Sequence, residues 1–165
     1  MPTSTITYTR TKTAVYLTEV VMGTIADILA DLRIDVTALY RDWKQDESAI
    51  QAWIEETSLS QVTLECHQPN GRVSPIIEFP LAYNVTGVGD ARFTADRAAL
   101  ARYRAKLDRV PAGTAFALIC SFSKSHSQQP GWGPATRAST SDMSSLTFGT
   151  LATAPNASVS MRYLR

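Results

Sequence analysis

The chain has 165 residues, 44% apolar and 19% charged, with a net charge of +1, a make-up that fits one globular α/β domain and argues against a disordered tail or a general polyanion binder. The near-zero total hides a gradient: residues 1–60 carry nine acids and five bases, residues 61–123 five and seven, and residues 124–165 one and four, so opposite ends could steer differently charged partners. Cys66 and Cys120 lie in apolar runs without disulfide or metal spacing, no early run has the layout of a signal peptide, and the apolar stretches read as too short for a bilayer, so cytoplasm is the expected location.

Residues 3–10, rich in Thr, Tyr and Ile, read as a short strand or an extended arm. Ala14, Leu17, Val21, Ile25, Ile28 and Leu32 then recur at helical steps, with Thr11 or Thr13 as the expected cap. Gly23 inside this helix weakens it and suggests a close backbone approach. A shorter helix is expected over 36–44 with Leu39, Tyr40 and Trp43 inward. Another follows from Asp46 with Ile50, Trp53 and Ile54 inward. Strand chemistry starts at Val62, where Val62, Leu64 and Cys66 alternate with Thr63 and Glu65. Pro69-Asn70-Gly71 turns the chain into a return strand with Ile77, Phe79, Leu81 and Tyr83 on one face. Pro80 within it predicts an edge strand or a bulge.

A loop is expected from Asn84 to Asp90, then a helix over 94–108 with Leu100, Tyr103 and Leu107 on its apolar side. Arg102, Lys106 and Arg109 share another side. Residues 114–123 are apolar on both strand faces, which predicts a central strand. A loop of about twenty residues follows around Trp132, longer than most connections in compact domains. Two strands near 145–151 and 159–163, turned at Ala154-Pro155-Asn156, close the chain. The irregular order of helices and strands predicts an α+β fold with helices on one face of the sheet.

Catalytic patterns are thin. Cys66 and His67 are strand neighbours and point to opposite faces, and His126 lacks a nucleophile turn beside it. Gly87-Val88-Gly89 lacks the spacing of a phosphate cradle. No metal, cofactor or enzymatic activity is expected. The acid-poor tail suits binding better: Leu146, Phe148, Leu151, Val159 and Met161 form apolar strands hung on a long connector, which could open a sheet edge to a guest strand or be an ordinary hairpin.

Several strings resemble the bacterial HORMA-domain family. They are Tyr8-Thr9-Arg10-Thr11-Lys12-Thr13-Ala14, Asp42-Trp43, Pro130-Gly131-Trp132, Ala135-Thr136-Arg137-Ala138-Ser139-Thr140, Phe148-Gly149-Thr150 and Met161-Arg162-Tyr163-Leu164-Arg165, in order over essentially the whole chain. The resemblance implies a HORMA-like central, mostly antiparallel sheet with three main helices on one face. They would span about 12–32, 36–57 and 94–108. It further implies a core over 1–123 and a C-terminal safety-belt hairpin over 124–165, together one domain spanning 1–165.

The same resemblance implies a non-enzymatic adaptor of CBASS anti-phage signalling. Such a protein captures a closure-motif peptide, from a paralogue or the synthase, under the belt. When closed it binds and activates a cyclic-oligonucleotide synthase, and an AAA+ remodelling ATPase reopens it. Phe122, Trp132, Leu146, Phe148, Leu151, Val159 and Met161 become the expected peptide-binding residues of belt and sheet. Thr3, Ser4, Thr5, Ile6 and Thr7 become the arm the ATPase engages. A membrane is not an expected partner. The alternative is a nucleic-acid-binding module using the basic face of helix 94–108, although Asp96 and Asp108 dilute that charge. A weaker third option is a hydrolase acting through the long loop.

Overall fold

The structure, a computed structural model, describes residues 2–83 and 93–165, with side chains of the first helix described from Thr9 onward. The loop expected over 84–90, with Gly87-Val88-Gly89, lies outside the described residues. The helical spacing from Ala14 does produce one long helix, α1 (Pro2–Asp31), and its Ala14, Leu17, Val21, Ile25 and Ile28 are fully buried. The strand or arm expected over 3–10 is helical backbone instead. Once an amphipathic helix is nucleated, each added residue gains a hydrogen bond, and the propensity penalty of Thr and Tyr, below about 0.7 kcal/mol each, is too small to stop it. Thr11 and Thr13 are therefore mid-helix and cap nothing. Thr11 donates to Glu55 Oε1 at 2.8 Å, and Thr13 is buried with no partner for its hydroxyl among the described residues. A Cβ on Gly23 would meet nothing within 4 Å, so no backbone approaches it closely. The stretch Thr9–Asp31 is long and apolar enough to cross a bilayer, with a mean hydropathy of 1.4, contrary to expectation. In the fold most of it is buried inside the protein, as in a core helix.

The two helices expected over 36–44 and from Asp46 form as α2 (Thr37–Arg41) and α3 (Trp43–Glu55), parted at Asp42, where the resemblance implies one span over 36–57. Leu39, Ile50, Trp53 and Ile54 face inward as expected, but Tyr40 is 59% exposed and stacks on Trp43 at 5.5 Å. The strands are β1 (Leu59–His67), β2 (Val73–Tyr83), β3 (Thr94–Ala95), β4 (Ala115–Phe122), β5 (Ser145–Ala154) and β6 (Ala157–Leu164), with α4 (Arg97–Arg104) between β3 and β4. They form one six-stranded sheet in the order β3-β5-β6-β2-β1-β4, antiparallel throughout.

Three expectations change here. β2, with Pro80, is central between β1 and β6 rather than at an edge. The β2–β6 register runs unchanged from Glu78↔Arg162 to Leu81↔Val159, and the ladder lapses only around Pro80, which has no N–H to give. β4, apolar on both faces, is an edge strand rather than a central one. The helix expected over 94–108 spans only Arg97–Arg104, because Thr94 and Ala95 pair with β5 and Asp96 caps the helix by accepting the Ala99 amide at 3.0 Å.

Alternation sets the two faces of the sheet. Val62, Leu64, Cys66, Ile77, Phe79, Leu81, Val159, Met161 and Tyr163 join α1 and α3 in one buried cluster, with Leu100 and Tyr103 of α4 packed against it. Gln61, Thr63, Glu65 and Glu78 occupy the alternate strand positions, which face away from that cluster, yet all four are buried. What buries this second face is the segment joining β4 to β5.

Candidate functional site: the β4 edge and the segment that wraps it

The segment 123–144 leaves β4 at one end of the sheet and returns to β5 near the other. It begins at the end of α3. Lys124 Nζ donates to Thr57 Oγ1 at 2.8 Å, the Ser127 amide donates to Glu56 Oε1 at 2.9 Å, and Trp53 Nε1 donates to the Ser127 carbonyl at 2.8 Å. Burial alone would raise the Glu56 carboxyl, but the hydrogen bonds from Ser58 and Ser127 outweigh it and hold the group below its ordinary range. The segment then passes the free side of β4. Gly131, at φ +82, lies where a Cβ would overlap the Gln45 side chain at 1.9 Å, so a glycine lets the chain turn tightly here against α3.

An aromatic cluster lines the enclosed edge. Trp53, 2% exposed, meets Phe122 edge-on at 4.9 Å and Trp132 edge-on at 5.3 Å, while His126 stacks on Phe122 at 3.6 Å. Together with Leu118, Cys120, Gln128, Gln129 and the chain from Gly133 to Ala135 these rings bound a cavity of about 370 Å³. A second cavity of about 260 Å³ lies farther along the same edge, bounded by Phe116, Leu118, Asp42, Gln45, Asp46 and again Trp132. Burial, and secondarily the Asp42 charge, push the Asp46 carboxyl up to about 6. The Trp132 indole N–H is buried without an acceptor among the described residues. Among the described residues no strand pairs with the far side of β4.

Beyond the edge the segment crosses the outer sheet face and is pinned by two buried carboxylates. The Ala138 amide donates to Glu65 Oε2 at 2.6 Å, and His67 Nε2 lies 3.1 Å from Glu65 Oε1. Glu78 holds Arg162 at 2.9 Å and Arg137 at 3.7 Å and accepts from Gln61 Nε2 at 3.1 Å. Charged groups this buried are tolerated because they are paired and hydrogen-bonded.

The sequence matches the family described as bacterial HORMA domain 2 over residues 2–165. The chain belongs to that family. No curated protein matches it by sequence. In structure this HORMA domain is similar to a chain of the mitotic checkpoint complex, with a TM-score of 0.73 at 9% identity, covering 93% of this chain and 98% of that one. It is similar to C. elegans HTP-2 bound to the HIM-3 closure motif, with a TM-score of 0.70 at 11% identity, covering 94% and 90%. A chain of the E. coli MS115-1 HORMA:CdnC:Trip13 complex aligns with a TM-score of 0.63 at 12% identity, covering 94% and 89%. At such identities the likeness speaks to the fold.

Within this HORMA domain the expected site residues separate into two groups. Phe122 and Trp132 line the aromatic cavity at the β4 edge. Leu151, Val159 and Met161 are core residues, Phe148 packs edge-on against Tyr103 at 5.5 Å, and Leu146 is 51% exposed, all on the hairpin at the other end of the sheet. The structure does not bring the two groups together. The backbone of Thr3, Ser4, Thr5, Ile6 and Thr7 belongs to α1, and their side chains lie outside the described residues. The basic face expected on helix 94–108 is not formed as one helical stripe: Lys106 and Arg109 lie past the end of α4, and Arg104 is paired with Asp31 at 2.6 Å and with Asp27 at 3.5 Å.

Trp53, Asp46, Glu65 and Glu78 were not expected at the site. The sequence signals for them were a strand apolar on both faces, which needs a cover, and two acids inside apolar strands, which need partners. Among the described residues Cys66 and His67 do not form a hydrolytic pair. Cys66 faces the core while His67 lies toward Glu65, and burial pushes the Cys66 thiol up to about 12. Among the described residues no group of three or more His, Cys, Asp or Glu side chains is placed to hold a metal.

Proposed function

We propose that this HORMA domain is a non-enzymatic adaptor, one domain with a core over 1–123 and a belt over 124–165, that captures an extended closure-motif peptide as an added strand on β4. The observation that carries the reading is a long edge strand whose free side is wrapped by 123–144 around an aromatic-lined cavity. A guest strand there gains main-chain hydrogen bonds from β4 and apolar contact with Trp53, Phe122 and Trp132. The belt closes over it, so release needs local opening of the belt. In this reading Leu146, Phe148, Leu151, Val159 and Met161 serve binding indirectly, by anchoring the belt's far end.

The partners follow from the family. The peptide comes from a paralogue or from a cyclic-oligonucleotide synthase of a CBASS operon, the peptide-bound form activates that synthase, and an AAA+ ATPase reopens the domain by engaging Thr3–Thr7. The relatives bound to a closure motif and assembled with CdnC and Trip13 support this. Gating of the synthase requires that it bind the peptide-loaded form more tightly than the empty one.

The test is titration of the C-terminal peptides of the neighbouring operon proteins into the full chain, with the synthase assayed alongside. Saturable binding that raises synthase activity is the expected result. A peptide-independent synthase response would count against the reading.

A further inference from the structure

We propose that the β4 slot selects strands that carry a lysine or arginine two or four residues from a bulky apolar side chain, the cation entering the Asp42–Asp46 cavity and the apolar group the Trp53–Phe122–Trp132 cavity. This rests on the strand-capture reading and adds the chemistry of the guest.

Three features of the slot are incomplete and point to the same occupant. Among the described residues the far side of β4 has no partner strand, which calls for extended backbone. The Trp132 indole N–H is buried with no acceptor among the described residues, yet Trp132 borders both cavities, where a guest carbonyl could receive it. Leaving such a donor unpaired costs about 1–3 kcal/mol. The Asp46 carboxylate, half-buried, makes no hydrogen bond or ion pair with the described residues. The charge that acts on it is the like-charged Asp42, whose own partner Arg41 sits at the surface at 3.0 Å. A cation placed beside both carboxylates would relieve that repulsion.

The spacing comes from β4 itself. Phe116 and Leu118 border the acidic cavity, while Leu118, Cys120 and Phe122 border the aromatic one. These residues share one face of the strand and repeat at roughly 6.7 Å for every two positions. A guest strand paired beside β4 has the same period, so side chains two or four apart on one of its faces reach the two cavities. Neither cavity alone sets such a rule. The aromatic one would accept many apolar groups, and the acidic one is too small and polar to retain a peptide.

The experiment is selection from a phage-displayed library of random linear peptides on the full-length chain and on two variants, Asp46→Asn and the double variant Asp42→Asn with Asp46→Asn. Thermal melting confirms that each is folded. Wild type is expected to enrich peptides with Lys or Arg two or four positions from an aromatic or branched aliphatic residue, and the double variant to keep the apolar preference and lose the basic one. In a selected peptide, Lys→Met should weaken binding to wild type about tenfold, between the values typical of exposed and of buried ion pairs, and leave binding to the double variant unchanged. Enrichment by wild type of peptides without the basic residue, or the same basic preference in the double variant, overturns the selectivity rule and leaves strand capture standing. Failure of wild type to enrich any peptide overturns strand capture, and the rule with it.

Discussion

The Ala138 amide donates to Glu65 Oε2 at 2.6 Å, which ties the belt to a 2%-exposed carboxylate 73 positions earlier in the chain. Glu65 is an acidic residue on a central strand and is covered by the segment it holds. The bond therefore works in both directions: the belt hides the carboxylate, and the carboxylate gives the belt a fixed crossing point.

Glu65→Ala should loosen that crossing. The Ala138 amide loses its acceptor, a change worth about 1–3 kcal/mol for a buried donor. Glu65→Gln keeps an acceptor oxygen and should cost less. The expected outcome is a lower Tm for the alanine variant and faster tryptic cleavage after Arg137 under native conditions. Equal cleavage rates for wild type and Glu65→Ala would show that the belt is held elsewhere.

Gly23→Ala should stabilise the domain by about 1 kcal/mol, the helix-propensity difference between the two residues. Gly23 is inside α1, and an added Cβ meets no atom within 4 Å, so the gain is not offset by a clash. Chemical denaturation measures it as a shift of the midpoint with an unchanged slope.

Periodicity carried the element list far, and its failures share a cause. The Ala14–Ile28 face, the hairpin at Pro69-Asn70-Gly71 and the terminal β5–β6 pair each follow from local pattern. Neighbour relations do not. β4 looked central because both its faces are apolar, but the second cover is the belt's cavity wall rather than a strand. Pro80 suggested an edge, yet a central strand absorbs one missing N–H by a local lapse in its ladder. The site residues on the hairpin were grouped with Trp132 because they follow it in sequence, while the connector carries them to the opposite end of the sheet. Phe122 and Trp132 line one cavity, Phe122 as the last residue of β4 and Trp132 in the connector that leaves it.

Truncation after Ser123 should unfold the protein rather than merely abolish peptide binding. It removes β5 and β6, whose Leu151, Val159, Met161 and Tyr163 are all at most 3% exposed. Each large buried side chain contributes about 1.5–3 kcal/mol, and together they rival the 5–15 kcal/mol margin of a typical domain. Loss of a cooperative thermal transition by circular dichroism is the expected result. A truncated chain that melts cooperatively near the wild-type temperature would show that β1, β2, β4 and the helices suffice.

Asp46→Asn should stabilise the empty domain at neutral pH and have no such effect in acid. The folded carboxyl is pushed up to about 6 from an ordinary 3.8, by burial first and by Asp42 second. Between those values the folded state holds a proton that the unfolded chain has already released. Wild-type stability therefore falls as pH rises through this window, and above it the full penalty of the ionised Asp46 is present. Below pH 3.8 both states are protonated and the penalty vanishes. Asparagine cannot ionise, so the variant lacks this loss. Because Asp46 is only half-buried, solvent screening keeps the effect modest. The check is the difference in Tm between Asp46→Asn and wild type across pH 4 to 7.5, which cancels the titration of all other groups that the two proteins share. It should be near zero at the acid end, grow through pH 5 and 6, and level off above. A flat difference across the range would mean that Asp46 titrates as an ordinary surface carboxylate.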